Sequence, residues 1–314
     1  MLEGLRLIGM NQKKIIDTNG RTISKIGIVA PSFFVEKHNN FINGIKELKS
    51  YCDAIVYGKT VNNRVYNTTG TAKERAEDIN SMFSDPDIDM IIASDGGCRA
   101  IEVLEYLDYE MIEKNSKIIC GFSDITHILL AIYAKTSNRV IHGMDVINGF
   151  GEGLYIKQNI DLFWKNVETD QWNMGLSKAK ILKEGSGCGV TIGGWLNAIV
   201  NLSGTEYFPK DNKIILFWET IDEEPNRINM MLQALRLSNL LNRVEGMIIG
   251  ELTNCVEKEY YDCIPTIEDI ILKACDGYDF PIIMNAPFGH KEHKGTIPYG
   301  LKVIINTKRI PLIS

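Results

Sequence analysis

Much that would point this chain toward a membrane, a nucleic acid or a metal is missing. No apolar run in its 314 residues approaches the roughly 18 to 20 residues that a bilayer span needs, which argues against a membrane protein. The 34 lysines and arginines are scattered against 40 acidic residues, for a net charge of -6. The basic stripe of a nucleic-acid binder is therefore absent, and a small, uncharged-to-cationic partner fits better. No two cysteines form a C-x-x-C pair, and His290 and His293 have no thiol beside them, so zinc-ligand spacing is lacking. The opening MLEGLRLIGMNQKKII has neither the length nor the small-residue cleavage site of a secretory signal, and residues 1–20 read as a loosely held extension. There is no internal repeat and no low-complexity tract.

What is present is a globular balance of 45% hydrophobic and 24% charged residues, long enough for two domains with a cleft between them. The seven cysteines are odd in number and mostly embedded in apolar runs, which reads as reduced thiols in a cytoplasmic protein. From residue 25 to about 140, short β-rich runs (26–30, 54–57, 89–94 and 117–121) alternate with amphipathic helical runs. That alternation predicts a parallel sheet of βαβ units, a Rossmann-like domain over 21–150. Its clearest helix begins at Thr71, where Thr-Ala-Lys-Glu forms a capping box ahead of Ala72, Ala76, Ile79 and Phe83 on one face. Residues 151–180 read as a linker. The remainder, 181–314, mixes strands (190–192, 213–218, 246–250, 281–284, 301–305) with fewer helices, a smaller β-rich α+β domain. One helix there is well signalled by Asp222, Glu223, Glu224 and Pro225 ahead of Ile228, Met231, Leu232 and Leu235.

The most informative stretch is Lys117-Ile-Ile-Cys-Gly-Phe-Ser-Asp-Ile-Thr126, an apolar strand giving way to a helix. Ser123 stands at the corner, where a serine hydroxyl points out of the sheet edge and the free amides of the helix, beginning with that of Asp124, can hold an oxyanion. A simple helix cap is the competing explanation. The G-x-S-x-G elbow is not met, because Ile125 occupies the second glycine position. A second strand-ending loop, Ser94-Asp-Gly-Gly-Cys-Arg99, carries Gly96 and Gly97, either of which could supply another oxyanion donor or serve only a tight turn. Of the five histidines (His38, His127, His142, His290, His293), His290 is the most distinctive candidate base, closing Pro281-Ile-Ile-Met-Asn-Ala-Pro-Phe-Gly-His290. Glu219, directly after the apolar run 214–218, is the candidate carboxylate to orient an imidazole, unless it merely meets solvent at a strand end. Gly185-Ser-Gly-Cys-Gly189 lacks the Gly-Lys-Ser/Thr of a phosphate loop, so no nucleotide cofactor follows from it. Cys120 should be buried in its strand, leaving Cys98 as the one plausible reactive thiol.

Taken together, Gly121-Phe-Ser-Asp-Ile-Thr126, Leu216-Phe-Trp-Glu219, and Phe288-Gly-His290 with Ile297-Pro-Tyr-Gly300 resemble the LD-carboxypeptidase family. The resemblance runs from about residue 25 to the C-terminus and includes Ile28-Val-Ala-Pro-Ser32, Glu74-Arg-Ala-Glu77 with Asp85-Pro86, and Gly193-Gly194 leading to Leu202-Ser-Gly-Thr205. It implies a Rossmann-like domain carrying the serine, a C-terminal domain carrying the acid and the histidine, and a site where they meet. It further implies a Ser123, Glu219, His290 triad without metal or cofactor, acting as a homodimer on murein tetrapeptides to release terminal D-alanine during cell-wall recycling. Another branch, the microcin C self-immunity proteins, cuts the amide between an aminoacyl or peptidyl group and a modified nucleotide. The chain departs from both: Asp95-Gly-Gly-Cys-Arg99 stands where the carboxypeptidase branch has Arg-Gly-Gly-Tyr-Gly, and Gly194-Trp195 where the immunity branch has Gly-Asn. A binding protein of the same fold without turnover, and a thiol enzyme using Cys98, are the other expectations to test. Arg227 could pair with a substrate carboxylate.

Overall fold

A computed structural model of the chain describes residues 13–152, 156–169, 175–176, 179–256 and 265–308. In its first half, β1 (Lys25–Val29), α1 (His38–Leu48), β2 (Ala54–Tyr57), α2 (Ala72–Ser84), β3 (Met90–Ala93), α3 (Tyr109–Lys114), β4 (Ile118–Gly121), α4 (Thr126–Lys135) and β5 (Arg139–His142) alternate as the pattern predicts. The strands pair in parallel in the order β5-β4-β3-β1-β2. Helices cover both faces of such a sheet, so its inner strands are apolar without interruption, and every residue of β3 and β4 is buried. At α2, Thr71 Oγ1 accepts from the Glu74 amide at 3.3 Å and Glu74 Oε2 accepts from the Thr71 amide at 2.8 Å, the expected box.

The span expected to be a linker contains α5 (Ile156–Thr169), which buries Ile160, Phe163, Trp164 and Val167 against the first sheet's core. Those residues recur at helical spacing, but a composition rich in Asn and charge masks so short a stripe. Residues 13–23 are also tied in: Ile15 and Ile23 are buried, and the Lys13 amide donates to Ser50 O at 3.1 Å. The rest of the extension, 1–12, lies outside the described residues.

The second half runs β6 (Lys180–Lys183), β7 (Ser186–Trp195), α6 (Leu196–Leu202), β8 (Ile214–Ile221), α7 (Pro225–Leu237), β9 (Val244–Thr253), α8 (Ile267–Ala274), β10 (Ile282–Met284), β11 (Ile297–Pro298) and β12 (Lys302–Asn306). Strands β7, β8, β9 and β10 pair in parallel, with a helix in each connection, and the edge strands of this second sheet, β12 and β6, are antiparallel. This half is therefore more α/β than the expected α+β mixture, and the whole is a two-domain α/β fold. The glycine-rich stretch 185–189 leads into and opens β7. A Cβ on Gly187 would stand 1.7 Å from Glu245 O, so its glycine serves close strand approach.

The two sheets are joined by more than proximity. Strand β11 leaves the second half to pair antiparallel with β5, and the following residues return to the second sheet, with the Gly300 amide donating to Thr191 O at 2.9 Å. One apolar core runs across the seam, from Ile125 and Leu129 through Ile192 to Phe217 and Phe288.

Candidate active site

Strand β4 delivers Ser123 at the carboxyl edge of the first sheet, as the first residue of a single 3-10 turn (Ser123–Ile125) that feeds α4. Its φ is +61°, the left-handed region that a non-glycine residue enters only at a cost of order 1 kcal/mol or more. A plain N-cap sits in the extended region, so this backbone is that of a sharp elbow and not of a cap. The elbow keeps its first glycine: a Cβ on Gly121 would meet Ile125 Cγ2 at 2.5 Å. Ile125 thus packs over Gly121 where a second glycine was expected to be needed.

The paired-glycine loop closes on this corner. A Cβ on Gly96 would stand 2.9 Å from Ser123 Cβ, and one on Gly97 (φ +145°) would stand 2.3 Å from Ser32 Oγ. Asp124 locks the two loops together. Its Oδ2 accepts from Ser32 Oγ at 2.6 Å and from the Ala100 amide at 2.7 Å, while Ser32 Oγ accepts from the Arg99 amide at 3.1 Å. Burial would push the Asp124 carboxyl up, but the contacts from His127, Ser32 and Ala100 outweigh it and hold the group below the usual range. His127, on α4, is buried with Nδ1 2.9 Å from Asp124 O and Nε2 3.2 Å from Asn201 Nδ2, a satisfied core histidine.

The second half brings the other two groups. Glu219 does not end its strand: β8 runs on to Ile221, and Glu219 is fully buried. The register with β9 slips between Trp218 and Thr220, a bulge at Glu219 of the kind that re-aims a side chain. His290 follows β10 on a loop strapped to β9, where the Ala286 amide donates to Ile249 O at 3.0 Å and the Glu251 amide to Phe288 O at 2.8 Å. Gly289, at φ +139°, makes the final bend. His290 Nδ1 lies 2.6 Å from Glu219 Oε2, and Nε2 lies 2.9 Å from Ser123 Oγ. With Nδ1 protonated toward the carboxylate, Nε2 is left to accept the serine proton, the arrangement that makes an alcohol nucleophilic. The structure therefore brings Ser123, Glu219 and His290 together, with Asp124, Gly96 and Gly97 around the serine.

The remaining candidates stand apart. Arg227, on α7, is 57% exposed and faces Glu223 at 3.7 Å; among the described residues nothing joins it to the three central side chains. Cys98 is exposed with its thiol pushed up by burial of the sulfur, and Cys120 is raised further in the core, so neither is a ready thiolate. His38 is exposed at the start of α1.

Sequence reasoning missed what surrounds the imidazole. The Phe122 ring lies 4.5 Å from the His290 ring, and the Lys294 ammonium lies 4.9 Å from the Phe122 ring centre. His142, at the end of β5, is buried edge-on to Phe122, Phe217 and Phe288. Burial, with His290 and Lys294 nearby, pushes it down to about 3, which keeps it neutral. Asn148 bridges two carboxylates, donating to Asp95 Oδ1 at 2.7 Å and Asp145 Oδ2 at 3.1 Å. Isolated loop residues of this kind carry no periodicity, so only their convergence in space reveals them.

The profile of the LD-carboxypeptidase N-terminal domain matches residues 26–143, and that of the LD-carboxypeptidase C-terminal domain matches 188–305. The chain belongs to the LD-carboxypeptidase family. It is an enzyme of the serine carboxypeptidase type. Among its relatives, the microcin C7 self-immunity protein MccF of Escherichia coli is 29% identical over 91% of each chain. The "probable murein peptide carboxypeptidase" of Bacillus subtilis (strain 168) is 28% identical over 80% of this chain and 79% of its own. A solved structure of MccF in complex with aspartyl sulfamoyl adenosine superposes with a TM-score of 0.82 at 24% identity, covering 94% of this chain and 96% of that one, a likeness of fold.

Proposed function

We propose that this enzyme hydrolyses an L,D-peptide bond and releases the terminal D-alanine of a murein tetrapeptide, with Ser123, His290 and Glu219 as its catalytic triad. The observation that carries the reading is the unbroken chain from Ser123 Oγ through His290 to Glu219, built across the seam from three separate loops and strands. Ser123 attacks the scissile carbonyl while His290 Nε2 takes its proton. The imidazolium, steadied by the Glu219 carboxylate, passes that proton to the departing amine, and water then resolves the acyl-enzyme by the same route in reverse. The amides of Asp124 and Gly97 hold the oxyanion, each donor being worth roughly 3 to 4 kcal/mol of barrier; the Gly96 amide instead donates to Asp95 Oδ1 at 2.7 Å. No residue of this scheme calls for a metal or cofactor. The reading places the enzyme in cell-wall recycling as a cytoplasmic homodimer; Cys120, Cys255 and Cys275, buried and in no disulfide, accord with a reducing compartment.

Ser123→Ala should lower D-alanine release by about ten-thousandfold or more while leaving the unfolding transition in place. Turnover near the parent rate would end the proposal. Fluorophosphonate labelling at Ser123 separates an enzyme from a ligand-binding relative of the same fold, since only an activated serine reacts. A second reading, cleavage of an aminoacyl or peptidyl nucleotide amide, is favoured by the similarity to the self-immunity protein over 91% of both chains. Side-by-side rates on a murein tetrapeptide and on aspartyl sulfamoyl adenosine decide between them.

A further inference from the structure

We infer that Lys294 is the anion-recognition residue of the leaving-group subsite, holding the terminal carboxylate of the amino acid that departs. The inference rests on the carboxypeptidase reading above and names the cation that such a reaction requires.

Lys37 lies 3.2 Å from Glu152, Arg99 lies 2.6 Å from Glu102, and Arg227 lies 3.7 Å from Glu223, so each already has a carboxylate. Lys294 differs. Its Nζ donates to Gly289 O at 3.2 Å and rests over the Phe122 ring, and among the described residues no carboxylate lies within salt-bridge distance. It is also partly buried, and its backbone amide is fixed by Asn159 Oδ1 at 3.3 Å. Burial pushes the ammonium down, and the more distant charges of Asp145, Glu219, Glu251 and Glu152 oppose that. A partly buried ammonium with one carbonyl partner retains donors for a ligand, and a carboxylate is the group that repays its desolvation best.

The position fits the chemistry of departure. His290 must hand its proton to the leaving nitrogen, so that nitrogen comes within hydrogen-bond reach of Nε2. In a peptide ending in a free amino acid, a single carbon separates this nitrogen from the terminal carboxylate. The cation that reads the carboxylate must then stand on the His290 side of Ser123, away from the Gly96–Gly97 loop. Lys294 does so: its ammonium bonds the residue before His290 and covers the residue before Ser123. It also shares His290's loop, so placing the base places the cation.

The test uses binding, so that it does not depend on turnover. In the full-length Ser123→Ala protein, calorimetry should show a murein tetrapeptide ending in free D-alanine binding about tenfold or more tighter than the same peptide as its C-terminal amide. Adding Lys294→Met should abolish that preference by weakening the free acid alone, and Lys294→Arg should retain most of it, with circular dichroism confirming that each variant is folded. Equal binding of acid and amide, binding of neither, or a preference that survives Lys294→Met overturns the inference. Failure of the reaction reading is distinct: it appears as wild-type protein that releases no D-alanine, whatever the binding data show.

Discussion

The two sheets contribute to one site by different physical means. The first sheet positions Ser123, the proposed nucleophile, through the backbone: a left-handed φ at Ser123, a glycine floor beneath Ile125 and a glycine wall against the serine Cβ. The second sheet positions Glu219 and His290, the proposed acid and base, through side-chain burial and hydrogen bonding, with Glu219 enclosed at a strand bulge and His290 on a loop laced to β9. A nucleophile must approach a carbonyl at a set distance and angle, which backbone geometry enforces. An imidazole must instead be held in one tautomer and change its charge during the reaction, which a buried carboxylate enforces.

The contrast can be broken most forcefully at Glu219. Glu219→Gln preserves shape but removes the anion that steadies the imidazolium, so kcat should fall by roughly 10³ to 10⁴ with the fold retained. A loss of less than about tenfold would mean that the acid does not act through His290. Paired glycine substitutions sharpen the difference between the halves. Gly187→Ala drives a Cβ to 1.7 Å from Glu245 O and should cost several kcal/mol in urea unfolding, since backbone must shift to admit it. Gly96→Ala meets Ser123 Cβ at 2.9 Å and should cost kcat at least about tenfold, with a smaller loss of stability. Reversal of that order would refute a backbone-set nucleophile.

The smallest expected effect concerns pH and the seam between the halves. Unfolded, the His142 imidazole takes its proton near the ordinary value of about 6.5. Folded, burial holds it at about 3, so its contribution to stability is full above the unfolded value and is lost as pH falls toward the folded one. The loss amounts to about 1.4 kcal/mol per pH unit at most. His142→Leu should flatten the fall in unfolding free energy between about pH 6 and pH 4 by that amount or less. An unchanged slope would mean that the ring is protonated in the folded protein.

Several of these features could be read directly from the residues. Thr71 and Glu74 announce α2 because a capping box is local, and Ser123 announces itself because an apolar strand, a glycine and a helix follow one another within a few positions. Glu219 was visible as an acid after an apolar run, but the bulge that turns it was not, since it depends on how β9 pairs. The α5 helix was hidden by its composition, and Lys294 by its company of Lys291 and His293, which looks like a solvated loop.

Local order therefore determined the alternation of strands and helices, the elbow and the candidate acid and base, because each depends on neighbours in the chain. Convergence was left to the tertiary structure. The His290 and Ser123 side chains meet across 167 positions of sequence, and they do so because β11 crosses to the first sheet and one apolar core closes the seam. Lys294, with no carboxylate in salt-bridge distance among the described residues, is defined only by what surrounds it in space, since a lysine's pairing is a property of the packed molecule and not of its position in the chain.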